Sequence, residues 1–179
     1  QPPGLVGLSG NTEFPHLHLA VRKGKMKVDP FIGLAEPQNC AIGDAPLWNG
    51  ETLSLLAYQP VAIYNAGFTD RKPTWDEVKQ GQHHAATLPS NAGAMVLWTE
   101  IFGVIAGDEF VMRIIGPKGN VVQETRRKFE KTQIRRFEYI GRPGGEAWPA
   151  GKYVGEIVVL HHGADGDIEF RRTVEVVVP

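Results

Sequence analysis

The sequence predicts an all-β fold, and three observations carry that expectation. Apolar, β-branched runs of strand length recur along the chain; Gly-, Pro- and Asn-rich turns punctuate them; and only one helix-start signal interrupts the series. Length and composition suit a globular protein. With 179 residues, 42% apolar and 22% charged, one or two domains with a substantial core are expected.

In chain order, residues 4–8 form a short apolar run with glycine at both ends, residues 9–15 a loop, and residues 15–22 a strand bearing two histidines. Lys23-Gly24-Lys25 reads as a turn, Met26 to Val28 as a return strand, and Asp29-Pro30 as its stop. Three such strands need an apolar cover to be stable. Composition then shifts to Pro, Gly, Asn and Asp across 34–49, which predicts a linker, with Trp48 plugging it onto the next domain.

From residue 50 onward, strands are expected at 52–57, 60–68, 94–104, 109–115, 121–128, 133–140, 152–160 and 168–178. Thr74 and Glu77 form a Thr-x-x-Glu capping box, predicting one helical turn through Val78. Gly116-Pro117-Lys118-Gly119-Asn120 is a tight connection between strands. Trp148-Pro149-Ala150-Gly151-Lys152-Tyr153 fits the start of a late strand whose Tyr hydroxyl bonds back to the corner backbone. About seven or eight short strands with regular turns predict a β-sandwich of the immunoglobulin or fibronectin type over 50–179.

Charge and cysteine usage exclude several classes. A net charge of -1 argues against a general nucleic-acid binder or anionic-membrane binder. The single cysteine, Cys40, allows no internal disulfide and has no metal motif around it. No apolar run approaches the roughly 20 residues of a membrane-spanning helix.

The most informative stretch is His16-Leu17-His18-Leu19-Ala20-Val21. On a strand, residues two apart share a face, so His16 and His18 would project together. Paired imidazoles suit zinc chemistry, one as a neutral ligand and the other hydrogen-bonding a metal-bound water. The plainer alternative is two polar residues on a wet strand face.

The residues around them resemble a known family. Gly7-x-Ser9-Gly10-Asn11-Thr12, then Pro15-His16-Leu17-His18-Leu19, Val21-Arg22-Lys23-Gly24-Lys25 and Val28-Asp29-Pro30 are similar to the C-terminal end of the lysostaphin-type, LytM-like zinc metalloendopeptidases. Those enzymes cut peptide cross-links in bacterial peptidoglycan, and their stretch reads loosely G-x-x-G-N-T-G, P-H-L-H-F-E-V-R, G, V-D-P. The resemblance covers about the first 33 residues. It implies that 1–33 are the last strands of a peptidase β-sheet domain, ahead of an accessory sandwich. It implies that His18 is a zinc (Zn2+) ligand and that His16 is the catalytic, non-ligand histidine assisting the attacking water. Zinc in the complete enzyme would polarise the scissile carbonyl and lower the pKa of its water toward about 7. The implied partner is the peptidoglycan cross-link, and the implied location is the bacterial periplasm, cell envelope or exterior.

This sequence departs from the family pattern where Glu13 replaces glycine, the loop before Pro15 is short, and Leu19-Ala20 replace Phe-Glu. The family's remaining ligands form an H-x-x-x-D pair upstream of H-x-H. Here the only such spacing is His161 to Asp165, downstream and within a hairpin-turn sequence, and it reads as coincidence. The chain therefore reads as the rear part of a peptidase with an incomplete metal site.

Other polar clusters receive plainer readings. His83-His84 and His161-His162 are adjacent pairs whose side chains point apart, and both pairs read as surface residues. Arg126, Arg127, Lys128, Lys131, Arg135 and Arg136 are a candidate patch for an acidic glycan or phosphate. Interleaved Glu124, Glu130 and Glu138 favour a charge-paired hairpin instead. Trp48, Trp75, Trp98 and Trp148 read as core or rim packing rather than sugar-stacking platforms. Two function classes remain: the C-terminal portion of a zinc peptidoglycan endopeptidase, or a non-catalytic sandwich module carrying an inert peptidase remnant.

Overall fold

Alternating runs closed by tight turns make strands over most of the chain. The computed structural model describes residues 11, 18–34, 43–56, 59–145, 147–163 and 166–179. It divides into two units, Gln1–Tyr58 and Gln59–Pro179.

In the first unit, β1 (Val21–Lys23) pairs antiparallel with β2 (Met26–Val28), and Lys23 faces Met26. That register leaves Gly24-Lys25 as a two-residue loop. Gly24 takes φ 62° at its first position, where a hairpin turn of the II′ kind needs glycine. Asp29 ends the hairpin as expected, its Oδ1 accepting the Phe31 N–H at 2.8 Å. His18, Leu19 and Ala20 precede β1 without strand pairing, so the expected strand over 15–22 is seen from Val21 onward. His16 and the run at 4–8 lie outside the described residues.

The last part of the expected linker folds back on the hairpin's end. Gly43 N–H donates to Phe31 O at 3.0 Å and Leu47 N–H to Pro30 O at 2.9 Å. The Trp48 ring lies 6.2 Å from that of Phe31, within this unit.

The strand expected over 52–57 is corrected: α1 (Gly50–Leu55) is helical. Asn49 supplies the cap, its Oδ1 accepting from Thr52 N–H at 2.8 Å. The alternating Thr52-Leu53-Ser54-Leu55 has strand character, but α1 buries no residue and the cap decides for helix.

The second unit contains β3 (Ala62–Thr69), α2 (Trp75–Lys79), β4 (Ala94–Val104), β5 (Glu109–Ile115), β6 (Val121–Lys128), β7 (Gln133–Pro143), β8 (Gly151–Gly163) and β9 (Gly166–Val178). The strands form two antiparallel sheets, ordered β3-β4-β7 and β6-β5-β8-β9. Lettered A to G, they read ABE and DCFG, so the fourth strand joins the second sheet rather than the ABED sheet of an immunoglobulin constant domain.

Both sheets bury one face against the other. Phe68, Leu97 and Ile101 from the first meet Phe110, Met112, Ile157 and Val176 from the second in one core. The bounds expected for β4, β5 and β6 agree with those observed, while β8 and β9 run further into their shared hairpin. The capping box of α2 is formed in both directions, through Thr74 and Glu77.

The corner before β8 forms as the sequence predicts. The Tyr153 hydroxyl donates to Pro149 O at 3.0 Å, and burial raises its pKa. Trp148 meets Tyr153 edge-on at 6.4 Å and donates through Nε1 to Ala92 O at 3.0 Å. At Gly103, φ is 81° and a Cβ would stand 1.9 Å from Pro60 O, so no side chain fits there.

Candidate functional site

The histidine motif leads into the basic β1–β2 hairpin. His18 is exposed just before β1, while Arg22, Lys23, Lys25 and Lys27 are exposed on the hairpin itself. His16, its expected catalytic partner, lies outside the described residues, so their shared face is not placed. Among the described residues, no three His, Cys, Asp or Glu side chains gather as a metal set. His18 is thus one candidate ligand without a ligand set among the described residues.

The sandwich holds its own polar constellation on the outer face of β3-β4-β7. Side chains alternate along β4, so Leu97 and Ile101 enter the core while Trp98 and Glu100 face outward. Both are nevertheless buried, at 0% and 3% exposure, since the β3–β4 connection lies over them. Trp98 Nε1 donates to His83 O at 2.8 Å. Glu100 accepts from Trp75 Nε1 at 2.8 Å, Asn65 Nδ2 at 3.1 Å and Arg135 Nη2 at 3.3 Å. With these donors the carboxylate anchors the covering segment.

Of the two histidines there, His83 corrects the surface reading, while His84 is exposed as expected. His83 has a side chain only 7% exposed, bonded to Thr69 Oγ1 at 2.9 Å and Glu77 Oε2 at 3.1 Å, with φ at 68°. Arg71, then the backbone and hydroxyl of Thr74, then His83 hold the Glu77 carboxyl far below its usual range. His84 meets Trp98 edge-on at 5.0 Å. Burial lowers its pKa, helped by the charges of Arg172 and His83.

His161 and His162 pair with different carboxylates, and the surface reading is corrected for His161. His161 is buried with Nδ1 3.0 Å from Asp108 Oδ2, while His162 Nδ1 lies 2.8 Å from Asp167 Oδ1. Asp108, fully buried, also accepts Ile105 N–H at 2.9 Å and His162 N–H at 3.1 Å. This dyad closes the β4–β5 turn and has a packing role. Asp165 lies outside the described residues.

The basic run forms the charge-paired hairpin its sequence favours, with Arg135 turned instead to Glu100. Arg127 and Arg136 share the buried Glu138, and Lys128 pairs with Glu109 at 3.1 Å. At the same place a pocket of about 390 Å³ opens beside the β6–β7 hairpin, its polar lining being Arg127, Lys128, Glu130, Lys131, Gln133 and Arg136.

No family model matches the chain. No curated protein matches it in sequence either. Solved structures give similarities at a low level. The C-terminal domain of Wzt is 9% identical, with a TM-score of 0.43 over 68% of this chain and 75% of that one. The β-glucuronidase of Parabacteroides merdae is 10% identical, with a TM-score of 0.38 over 64% of this chain and 13% of that one. A CARDB domain from Pyrococcus furiosus is 11% identical, with a TM-score of 0.34 over 52% of this chain and 84% of that one.

The Glu100 constellation was not legible in the sequence. Asn65, Trp75, Glu100 and Arg135 are far apart along the chain; strand register gathers three of them and α2 brings in Trp75. The one available signal was a glutamate inside the apolar run of β4.

Proposed function

We propose that this chain is the C-terminal portion of a zinc-dependent peptidoglycan endopeptidase, with the unit from Gln59 to Pro179 as an accessory sandwich. The observation that carries this reading is the ordered motif set from Gly7 to Pro30, with His18 immediately ahead of a tight hairpin. Exposure of His18 and the turn closed by Asp29, the acid of the Val-Asp-Pro element, support it. In this reading His18 is a zinc ligand, His16 assists the attacking water, and the substrate is a peptide cross-link of the bacterial envelope. The family's H-x-x-x-D pair is then supplied from outside these 179 residues.

Zinc titration and muropeptide cleavage test this, comparing the 179-residue chain with one joined to an upstream peptidase segment carrying H-x-x-x-D. A catalytic site takes three protein ligands, and complete structural zinc sites are worth about 10–16 kcal/mol. The short chain should therefore bind zinc weakly and turn nothing over. The joined chain should bind one zinc and cleave, and His18→Ala should abolish both. Stoichiometric zinc with turnover in the short chain would defeat the ligand assignment. A zinc-loaded joined chain that leaves cross-links intact would favour the sandwich as a non-catalytic binding module.

A further inference from the structure

The pocket beside the β6–β7 hairpin has an excess of cations and few acceptors. Its wall carries two guanidinium and two ammonium groups, while Glu130 is the one acid among its lining residues. Behind the wall, Glu138 is only 6% exposed and is shared by Arg127 and Arg136, so one carboxylate faces two guanidinium groups. Gln133 turns its Oε1 toward Arg136 Nη1 at 3.0 Å, which commits its acceptor. Lys131 and Glu130 make no ion pair among the described residues.

The donors are also fixed in place. Arg127 lies over the Phe110 ring at 5.6 Å and Arg136 over the Phe129 ring at 5.9 Å. Arg127 Nη2 and Arg136 Nε already donate to Glu138 and Arg136 Nη1 to Gln133, and the remaining guanidinium N–H groups suit the oxygens of a phosphate group. Burial first, and then the charge of Arg136, lower the Arg127 pKa. A volume of about 390 Å³ exceeds what a bare phosphate needs and leaves room for the group carrying it.

We propose that the pocket formed by Arg127, Lys128, Lys131 and Arg136 is a binding site for a phosphate group, as a polymer phosphodiester or as free phosphate. A carboxylate offers two oxygens to this larger donor set; a phosphate spreads its charge over more. The polymer source rests on the envelope reading above, whereas the binding chemistry does not.

The test is titration of the 179-residue protein, without zinc, with inorganic phosphate and separately with a glycerol-phosphate oligomer. Amide chemical shifts are followed at constant ionic strength. Saturable shifts are expected at residues 127–136. Lys131 is exposed and unpaired, so Lys131→Gln should leave folding intact while weakening binding about tenfold, the loss of one charge-assisted hydrogen bond. Lys131→Arg should restore it. Tighter binding of the oligomer than of free phosphate assigns the site to a polymer, and equal binding assigns it to the free ion. Unsaturable shifts with both probes, or unchanged affinity in Lys131→Gln, would overturn the proposal. Zinc binding and cleavage are scored separately, so failure here leaves the peptidase reading standing, and the reverse holds too.

Discussion

The two outer faces of the sandwich use similar polar chemistry, and only one is covered. Over β3-β4-β7, the β3–β4 connection seals Trp98 and Glu100 from water. Over β6-β5-β8-β9, Arg113 bridges Glu124 at 2.6 Å and Glu156 at 3.3 Å, Arg171 meets Glu169 at 2.9 Å, and all remain partly solvated. In water such pairs gain little, because solvent screens them and ordering long side chains costs entropy. Under cover, a carboxylate must find donors or leave a charge desolvated, so its partners fix the covering loop. Gly67 makes the cover possible: a Cβ there would come 2.9 Å from His83 O and 3.0 Å from the Trp98 ring.

The largest expected effect breaks the cover itself. Trp98→Ala should cost about 3–5 kcal/mol in urea unfolding, the range for a large buried aromatic. A loss below about 1 kcal/mol would put Trp98 on a par with the open face and erase the contrast.

A smaller effect separates the faces by pH. Burial lowers the His84 pKa, so the unfolded chain takes up a proton first as pH falls. The stability this contributes is present above the ordinary histidine pKa of about 6.5 and is lost as pH drops through that value toward the lowered one. His84→Gln should flatten the stability profile in that window. Parallel profiles for the two proteins would mean that packing against Trp98 does not desolvate the His84 ring.

The smallest effect is expected on the bare face. Arg113→Gln should cost no more than about 1 kcal/mol, and moderate salt should shrink the difference further. A cost of several kcal/mol, insensitive to salt, would show that this face is shielded after all.

How much of the molecule could be read in the sequence depends on the range of the interactions. Strands β4 to β6 were legible because alternation and turn residues are local, as were the Thr74–Glu77 capping box and the Tyr153 corner. Helix α1 was misread because alternation suggested a strand, while the deciding contact is one hydrogen bond from Thr52 to Asn49. His83 was misread for the opposite reason: its burial depends on β3 and α2, which supply Thr69 and Glu77. The His16-Leu17-His18 motif was legible as a pattern of residue types. Its geometry was not, because ligand sets are assembled from distant segments. The phosphate pocket lay between these cases, since residues 127–136 are contiguous and only the sharing of Glu138 needed the fold.

The connection that covers Trp98 also reaches the margin of the opposite sheet. Val177 N–H donates to Ala86 O at 3.1 Å and Leu88 N–H to Val177 O at 2.9 Å, a short parallel bridge against β9, which is the last strand of its sheet. Unpaired peptide groups at such a margin are a template on which a second molecule can add its own strand. The same segment that excludes water from one layer therefore caps the Val177 end of the margin of the other. Shortening it would uncover the Val177 peptide group together with the Trp98 ring.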